Sequence, residues 1–311
     1  MANRVKISVI GARPADLEPA TGHADVDRVM KHWREKLEAV LPDRPDLIVL
    51  PEFCDQAAGE SLGQYRAFCQ SGGESMLHFF AETAQRHRAY ITYPALRRLP
   101  DGSYRNSIQL LDRKGQVCGI YNKNHPMAIG ELDAGILAGR EAPLFELDFG
   151  RVACAICFDL NFDELWRHYT QQRPDLILFC SVYHGGLMQA YRAYSCRCHL
   201  ASAVAGLPSQ IYSPVGQLLA TSTNYFDFAT AQVNLDCRVV HLDHHGEKLR
   251  KLKRKYGPEV SIFDPGLLAP VLVTSEGEGR SVVELLEEFG LTPLDEYLQQ
   301  SRLRQAQHRE A

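Results

Sequence analysis

The sequence predicts an α/β fold, and three observations carry the prediction. Short runs rich in β-branched residues alternate with stretches whose apolar residues recur at helical spacing. One pair of half-exposed runs reads as a hairpin, which calls for a mixed sheet. The chain also echoes itself: "RPDLIVLPE" at 44–52 returns as "RPDLILFCS" at 173–181, and upstream "RVKISVIG" returns as "RVACAICF". In both places a strand, a helix and an R-P-D-L-I strand follow in that order. The chain therefore reads as two similar βαβ halves, with two sheets packed on one another.

The elements follow in order. "VKISVIG" (5–11) reads as a buried strand. Residues 25–41 place Val29, Trp33, Leu37 and Leu41 at helical spacing. Residues 46–50 form a second buried strand; "SMLHFFAETAQRHRA" is a helix and "YITYPALRR" the strand after it. "SYRNSIQLLD" and "GQVCGIYNK" form the hairpin, turning at Lys114-Gly115. A strand from Val152 ends near Cys157, directly before the helix-like "NFDELWRHY". After about Pro270 come a loop, "SEGEG", and two polar helices with narrow apolar stripes. The expected division is one domain over 1–270. A helical tail over 271–311 would pack on that domain or on a partner subunit.

Composition bounds the rest. With 311 residues, 45% hydrophobic and 23% charged, the chain has the balance of a globular protein with a sizeable core. A formal net charge of −4 offers no field for nucleic acid or an anionic membrane. The basic run "EKLRKLKRK" (247–255) is expected to be a solvated helix face. Nine scattered cysteines, an odd total, point to reduced thiols and a cytoplasmic setting. The N-terminus has no secretory apolar region, and no apolar run approaches the ~20 residues that span a membrane.

The chemistry is expected at strand ends, where side chains of an α/β sheet meet the ligand crevice. Three such ends present Glu52, Lys123 and Cys157: a carboxylate, an amine and a thiol. These can serve as base, oxyanion stabiliser and nucleophile. Cys154 and Cys157 form a C-x-x-C, yet three residues apart on an extended strand they face opposite sides. They are not expected to share a metal or a disulfide. Cys157 sits near the start of a helix, where the macrodipole and free N–H groups should lower its pKa. Cys154 reads as core.

At these residues the chain resembles the nitrilase, or carbon–nitrogen hydrolase, superfamily. "LIVLPEF" is similar to its glutamate motif, "YNKNHP" to its lysine motif and "GRVACAICFDLNFDE" to its cysteine motif, in the family's order. The resemblance covers roughly residues 6–235. It implies a four-layer α-β-β-α sandwich with two pseudo-equivalent halves, and a homodimer or larger homo-oligomer. It implies Glu52 as general base, Lys123 as oxyanion stabiliser and Cys157 as nucleophile. Glu131 would be the second glutamate of the amidase branch, holding Lys123. Phe158, through its N–H, and Tyr183 and His184 would contact a small amide-type substrate. No cofactor is implied. "C-F-D" is nearer the amidase-type C-Y-D than the nitrilase-type C-W-E, which favours amides or ureido compounds over nitriles.

Three departures stand out. Cys154 replaces a common Gly, Asp163 replaces a usual Pro, and Ser195-Cys196 replace a Glu-Asn pair after Arg192-Ala193. The last lies in a pocket-supporting segment (192–206), so the resemblance leaves the substrate open. Rival readings are zinc at "CRCH" (196–199), for which C-x-C is poor spacing, and a Cys-His hydrolase using His125, which beside Lys123 reads as a loop-shaping residue. A binding or regulatory protein on the same fold and an acyl transferase are the alternatives to hydrolysis. Cys154→Ser should keep most of the activity of wild type and Cys157→Ser should lose it, measured as turnover of any accepted amide; equal losses would return both thiols to the site.

Overall fold

The computed structural model describes residues 1–16, 26–266 and 269–309. Asp25, where the first helix was expected to begin, and the last two residues of the tail lie outside them.

Residues 5–232 form one unit, built on two six-stranded sheets. The first half contributes β1 (Arg4–Ile10), α1 (Val26–Val40), β2 (Leu47–Val49), α2 (Leu62–Ser71), α3 (Gly73–His87), β3 (Tyr90–Arg98), β4 (Tyr104–Leu111) and β5 (Val117–Asn122). The second contributes β6 (Phe145–Leu147), β7 (Gly150–Ile156), α4 (Asp163–Gln172), β8 (Leu176–Ser181), α5 (Leu187–Cys196), β9 (His199–Val204), β10 (Gln210–Tyr212) and β11 (Leu218–Thr221). A last strand, β12 (Phe228–Asn234), joins the first sheet at its edge. The sheet orders are β12-β1-β2-β3-β4-β5 and β11-β10-β9-β8-β7-β6. In each half three parallel strands (β1-β2-β3, β7-β8-β9) are followed by two antiparallel ones. The halves therefore correspond strand for strand.

One apolar cluster packs the first sheet against α1, α2 and α3, with Trp33, Phe68 and Phe80 at its centre. A second packs the other sheet against α4 and α5, around Trp166, Tyr169 and Phe179. The remaining faces of the sheets meet each other, as where Cys180 on β8 approaches Thr92 on β3. The result is the expected four-layer α-β-β-α sandwich. The buried stripe of α1 is Val29, Trp33, Leu37 and Val40 rather than Leu41, because Pro42 turns the chain into a short 3-10 turn, Leu41–Asp43.

The R-P-D-L-I echo has a structural cause. Arg44 and Arg173 both take left-handed backbone at the turn into a strand (φ 52° and 54°). Asp46 Oδ2 then accepts the N–H of Lys6 on β1, and Asp175 Oδ2 accepts that of Arg151 on β7, each at 2.9 Å. The Asp46 N–H returns to the Lys6 carbonyl and the Asp175 N–H to the Arg151 carbonyl, both at 2.8 Å. Each aspartate thus closes the open end of a parallel strand pair, where backbone groups otherwise lack partners.

The second unit comprises residues 1–4 and 233–311. It contains β13 (Cys237–His241), α6 (Gly246–Tyr256), β14 (Val260–Phe263), β15 (Pro270–Ser275), α7 (Val282–Phe289) and α8 (Leu294–Gln307). The boundary expected at 270 falls at the start of β15, which is buried along its length and forms the middle of the sheet β13-β15-β14. The polar composition begins only after this strand, so a composition shift placed the division too late. The basic run lies on α6, with Leu249 and Leu252 buried and Glu247 paired to Arg250 at 3.0 Å. No helix among the described residues is long and apolar enough to cross a membrane.

Asp175→Ala removes a side-chain hydrogen bond to otherwise unpaired backbone and should lower stability by about 1–2 kcal/mol. Asp46→Ala should cost more, since Arg113 also binds Asp46 at 2.9 Å. Urea midpoints of the two variants check this; no change in either would leave the repeat without its structural cause.

Candidate active site

β2, β5 and β7 end on the residues that the sequence singled out. Glu52 lies just past β2, Lys123 follows β5 and Cys157 follows β7. All three are buried, as is Glu131. The structure brings the four together.

The Lys123 ammonium donates to Glu52 Oε1 at 2.8 Å and to Glu131 Oε2 at 2.7 Å. Burial alone would lower the lysine's pKa, but the two carboxylates and the facing thiol outweigh it and the value is raised. Lys123 is therefore a fixed cation. Asn106 on β4 completes a ring, its Nδ2 donating to Glu52 Oε1 at 2.7 Å and to Glu131 Oε1 at 2.8 Å. Glu131 Oε2 also accepts the Met127 N–H at 2.8 Å. This bond spans an irregular turn, Ala128–Leu132, in which Gly130 has φ 101°. From the second sheet, the Val182 N–H just past β8 donates to Glu52 Oε2 at 3.2 Å. An ammonium has three N–H donors; Glu52 and Glu131 take two and leave one.

Cys157 sits where β7 breaks into a 3-10 turn, Cys157–Asn161, with left-handed backbone at φ 47°. Such backbone is uncommon for a residue with a side chain and persists where the surroundings enforce it. Asp159 is the enforcing group. It is fully buried; its Oδ2 accepts the Ile156 N–H at 2.9 Å and the Tyr121 hydroxyl at 2.7 Å. Its Oδ1 accepts the His125 N–H at 2.8 Å and lies 2.9 Å from His125 Nδ1. One carboxylate thus ties the cysteine turn to the loop after Lys123. His125 also stacks flat on Phe162 at 4.0 Å and shapes that loop.

The thiol differs from expectation. Its pKa is pushed up to about 12, first by burial and then by the Glu52 carboxylate, against a smaller lowering by Lys123 and a hydrogen bond from Ser181. α4 begins only at Asp163, so the macrodipole invoked from the sequence starts beyond the cysteine turn. Cys157 is a neutral thiol in reach of a carboxylate. The alternation argument also needs amending, because extended backbone stops at Ile156. Cys154 is fully buried and faces Cys118, whereas Cys157 faces Glu52, Lys123 and Ser181. None of the nine cysteines forms a disulfide, and no metal-binding group of His, Cys, Asp or Glu occurs among the described residues.

Phe158 follows Cys157 within the turn, half-buried, its ring edge-on to Phe162 at 5.1 Å. Tyr183 exchanges backbone hydrogen bonds with Ser181 Oγ, and His184 Nδ1 accepts the Gly186 N–H at 3.1 Å. Among the described residues no hydrogen bond joins the Tyr183 or His184 side chain to the four clustered groups. In the departing segment, Arg192 is buried against the Leu160 carbonyl at 3.0 Å and pairs with Asp163 at 2.8 Å. One of the sequence departures, Asp163, thus supplies the counter-charge for Arg192. Asn106, Asp159, Ser181 and the Val182 N–H escaped the sequence reading. Asn106 carried no clear signal, since it sits between Arg105 and Ser107 near the start of β4.

Comparisons with known proteins bear on the family and the fold. A family model described as carbon-nitrogen hydrolase matches residues 6–239. The chain is similar to the 2-oxoglutaramate amidase of Bacillus subtilis, 24% identical over 206 residues, covering 61% of this chain and 78% of the relative. It is similar to the chloroplastic omega-amidase of Arabidopsis thaliana, 22% identical over 239 residues, 68% of this chain and 64% of the relative. Its fold matches an amidase variant from Nesterenkonia sp. AN1 carrying the acetamide moiety of fluoroacetamide at the active-site cysteine. There the TM-score is 0.63 at 17% identity, over 81% of this chain and 96% of the other.

Glu52→Gln removes the carboxylate that, after burial, does most to raise the Cys157 thiol. Thiolate should therefore form at lower pH in this variant than in wild type. The ultraviolet thiolate absorbance against pH, taken as a difference from Cys157→Ala in each background, measures the midpoint. A midpoint that stays put or rises would contradict the facing arrangement of the two groups.

Proposed function

The chain belongs to the carbon–nitrogen hydrolase family, and on that premise we propose that it hydrolyses a non-peptide C–N bond of a small amide or ureido compound through a thioester on Cys157. The observation that carries the reading is a neutral buried thiol facing one carboxylate of a Glu–Lys–Glu cluster. A thiol held well above neutral pH is a poor nucleophile until a base removes its proton as it attacks. Glu52, in reach of the sulfur, is that base.

Glu52 takes the thiol proton while Sγ bonds to the substrate carbonyl carbon. The carbonyl π electrons move to oxygen, and the unused N–H of Lys123 and the Phe158 N–H receive the oxyanion. Donors fixed beforehand in a dry site are effective because they need not reorganise as charge develops. The tetrahedral species collapses, the C–N bond breaks and the leaving nitrogen takes the proton held by Glu52. Water then gives a proton to Glu52 and adds to the thioester. The C–S bond breaks, the acid departs and the thiol regains its proton. Glu131 and Asn106 do no covalent work here; they hold Lys123 and Glu52 in place. Amides are favoured over nitriles by the C-F-D turn and by the amidase names of the relatives. A cytoplasmic setting and a homo-oligomeric state belong to the same proposal.

Ammonia release from a panel of ω-amides, aliphatic amides, N-carbamoyl compounds and nitriles tests the proposal. Wild type should release ammonia from at least one amide or ureido compound. Cys157→Ala and Glu52→Gln should each lose about a thousandfold or more. Release that persists in Cys157→Ala would sink the thioester mechanism.

A further inference from the structure

On the outer face of the first sheet, away from the cluster, lies an unusual pair. Arg97 on β3 and Arg105 on β4 are directly opposite in the antiparallel register, so their side chains leave the sheet on the same side. Like charges placed so are destabilising. Some arginines of the fold are answered by carboxylates, others such as Arg66 only by a carbonyl and an aromatic ring. Arg113 holds both Asp46 and Asp148, at 2.9 and 2.7 Å, and Arg192 holds Asp163. Neither Arg97 nor Arg105 makes a direct ion pair with a carboxylate among the described residues; Asp101 acts on Arg105 only across Ser103. Arg97 reaches only Asn122 Oδ1, at 3.4 Å, and its Nε is buried without an acceptor. Arg105 spends one nitrogen on Ser103 Oγ and the Tyr104 carbonyl.

Beside the pair is a cavity of about 550 Å³ whose lining includes Arg105, Asn122, Arg140, Ile120, Leu137 and Glu141. Two guanidinium groups line it, with Arg97 behind Asn122, against the single carboxylate of Glu141. We propose that this cavity is a binding site for a small oxyanion, a phosphate or a carboxylate compound, held by Arg105 and Arg140, with the charge of Arg97 added from behind the lining. Guanidinium forks match the paired oxygens of both anions, and bound anion would offset the repulsion between the two opposed guanidinium groups. The site is separate from the thiol cluster, yet Arg105 and Asn122 adjoin Asn106 and Lys123 in the chain. An anion held there braces the strands that carry the cluster.

Isothermal titration of wild type with inorganic phosphate and, separately, citrate tests this, at an ionic strength fixed with chloride so that screening is constant. Saturable binding at one site per chain is expected, unchanged in Cys157→Ala and in the exposed control Arg254→Gln. Arg97→Gln and Arg105→Gln should each weaken it about tenfold or more. Whichever anion binds more tightly names the ligand type. Without anion, Arg97→Gln should melt at or above wild type, because a repulsion is gone, and phosphate should raise the melting point of wild type only. The proposal fails if neither anion saturates, if binding ignores both arginines, or if Arg97→Gln melts well below wild type without anion.

Discussion

The Lys123 ammonium is buried between two carboxylates, and much of the fold answers to that one arrangement. A buried cation without partners is unaffordable in a low-dielectric interior, and removing one partner strands the others. Lys123 therefore requires the end of β2, which brings Glu52, and the irregular turn after β5, which brings Glu131. The two carboxylates in turn require Asn106 between them and the Val182 N–H from the opposite sheet. Strand ends from both halves are thereby fixed to within a hydrogen bond of one another. A site assembled this way is rigid, which suits a reaction in which donors must be in place before charge develops.

The second constraint is Asp159. A cysteine at the tip of a left-handed turn would relax toward extended backbone without an anchor. Asp159 meets the backbone before the cysteine, the hydroxyl of Tyr121 and the loop of His125 at once. The Lys123 cluster and the cysteine turn are thus not two neighbouring sites; they share β5 and the loop that follows it. This connection also accounts for His125. Its ring serves Asp159 and Phe162, and the groups facing the thiol are Glu52, Lys123 and Ser181.

Where the sequence reading went astray, the misses share a cause. Both the thiol pKa and the domain boundary were inferred from local features: a helix start near Cys157, a composition change near Pro270. The thiol answers instead to burial and to a carboxylate from another strand, and β15 pairs with β13 and β14, both earlier in the chain. Asn106 and Ser181 went unnoticed for the same reason. A polar residue within or ending a strand does not announce its partners.

The sequence by itself determined the alternation of strands and helices, the doubled architecture and the strand ends at which Glu52, Lys123 and Cys157 would emerge. These depend on periodicity and on short motifs, which operate over a few residues. The R-P-D-L-I echo was legible because each copy performs a local task, closing a strand pair at its open end. Only the tertiary structure decided the charge state of the thiol, the ring of Asn106 around the lysine, the tie through Asp159 and the pairing of Asp163 with Arg192. It also set Arg97 directly opposite Arg105. Those are energies of approach between groups far apart in the chain. They depend on distance and desolvation, which no window of sequence contains.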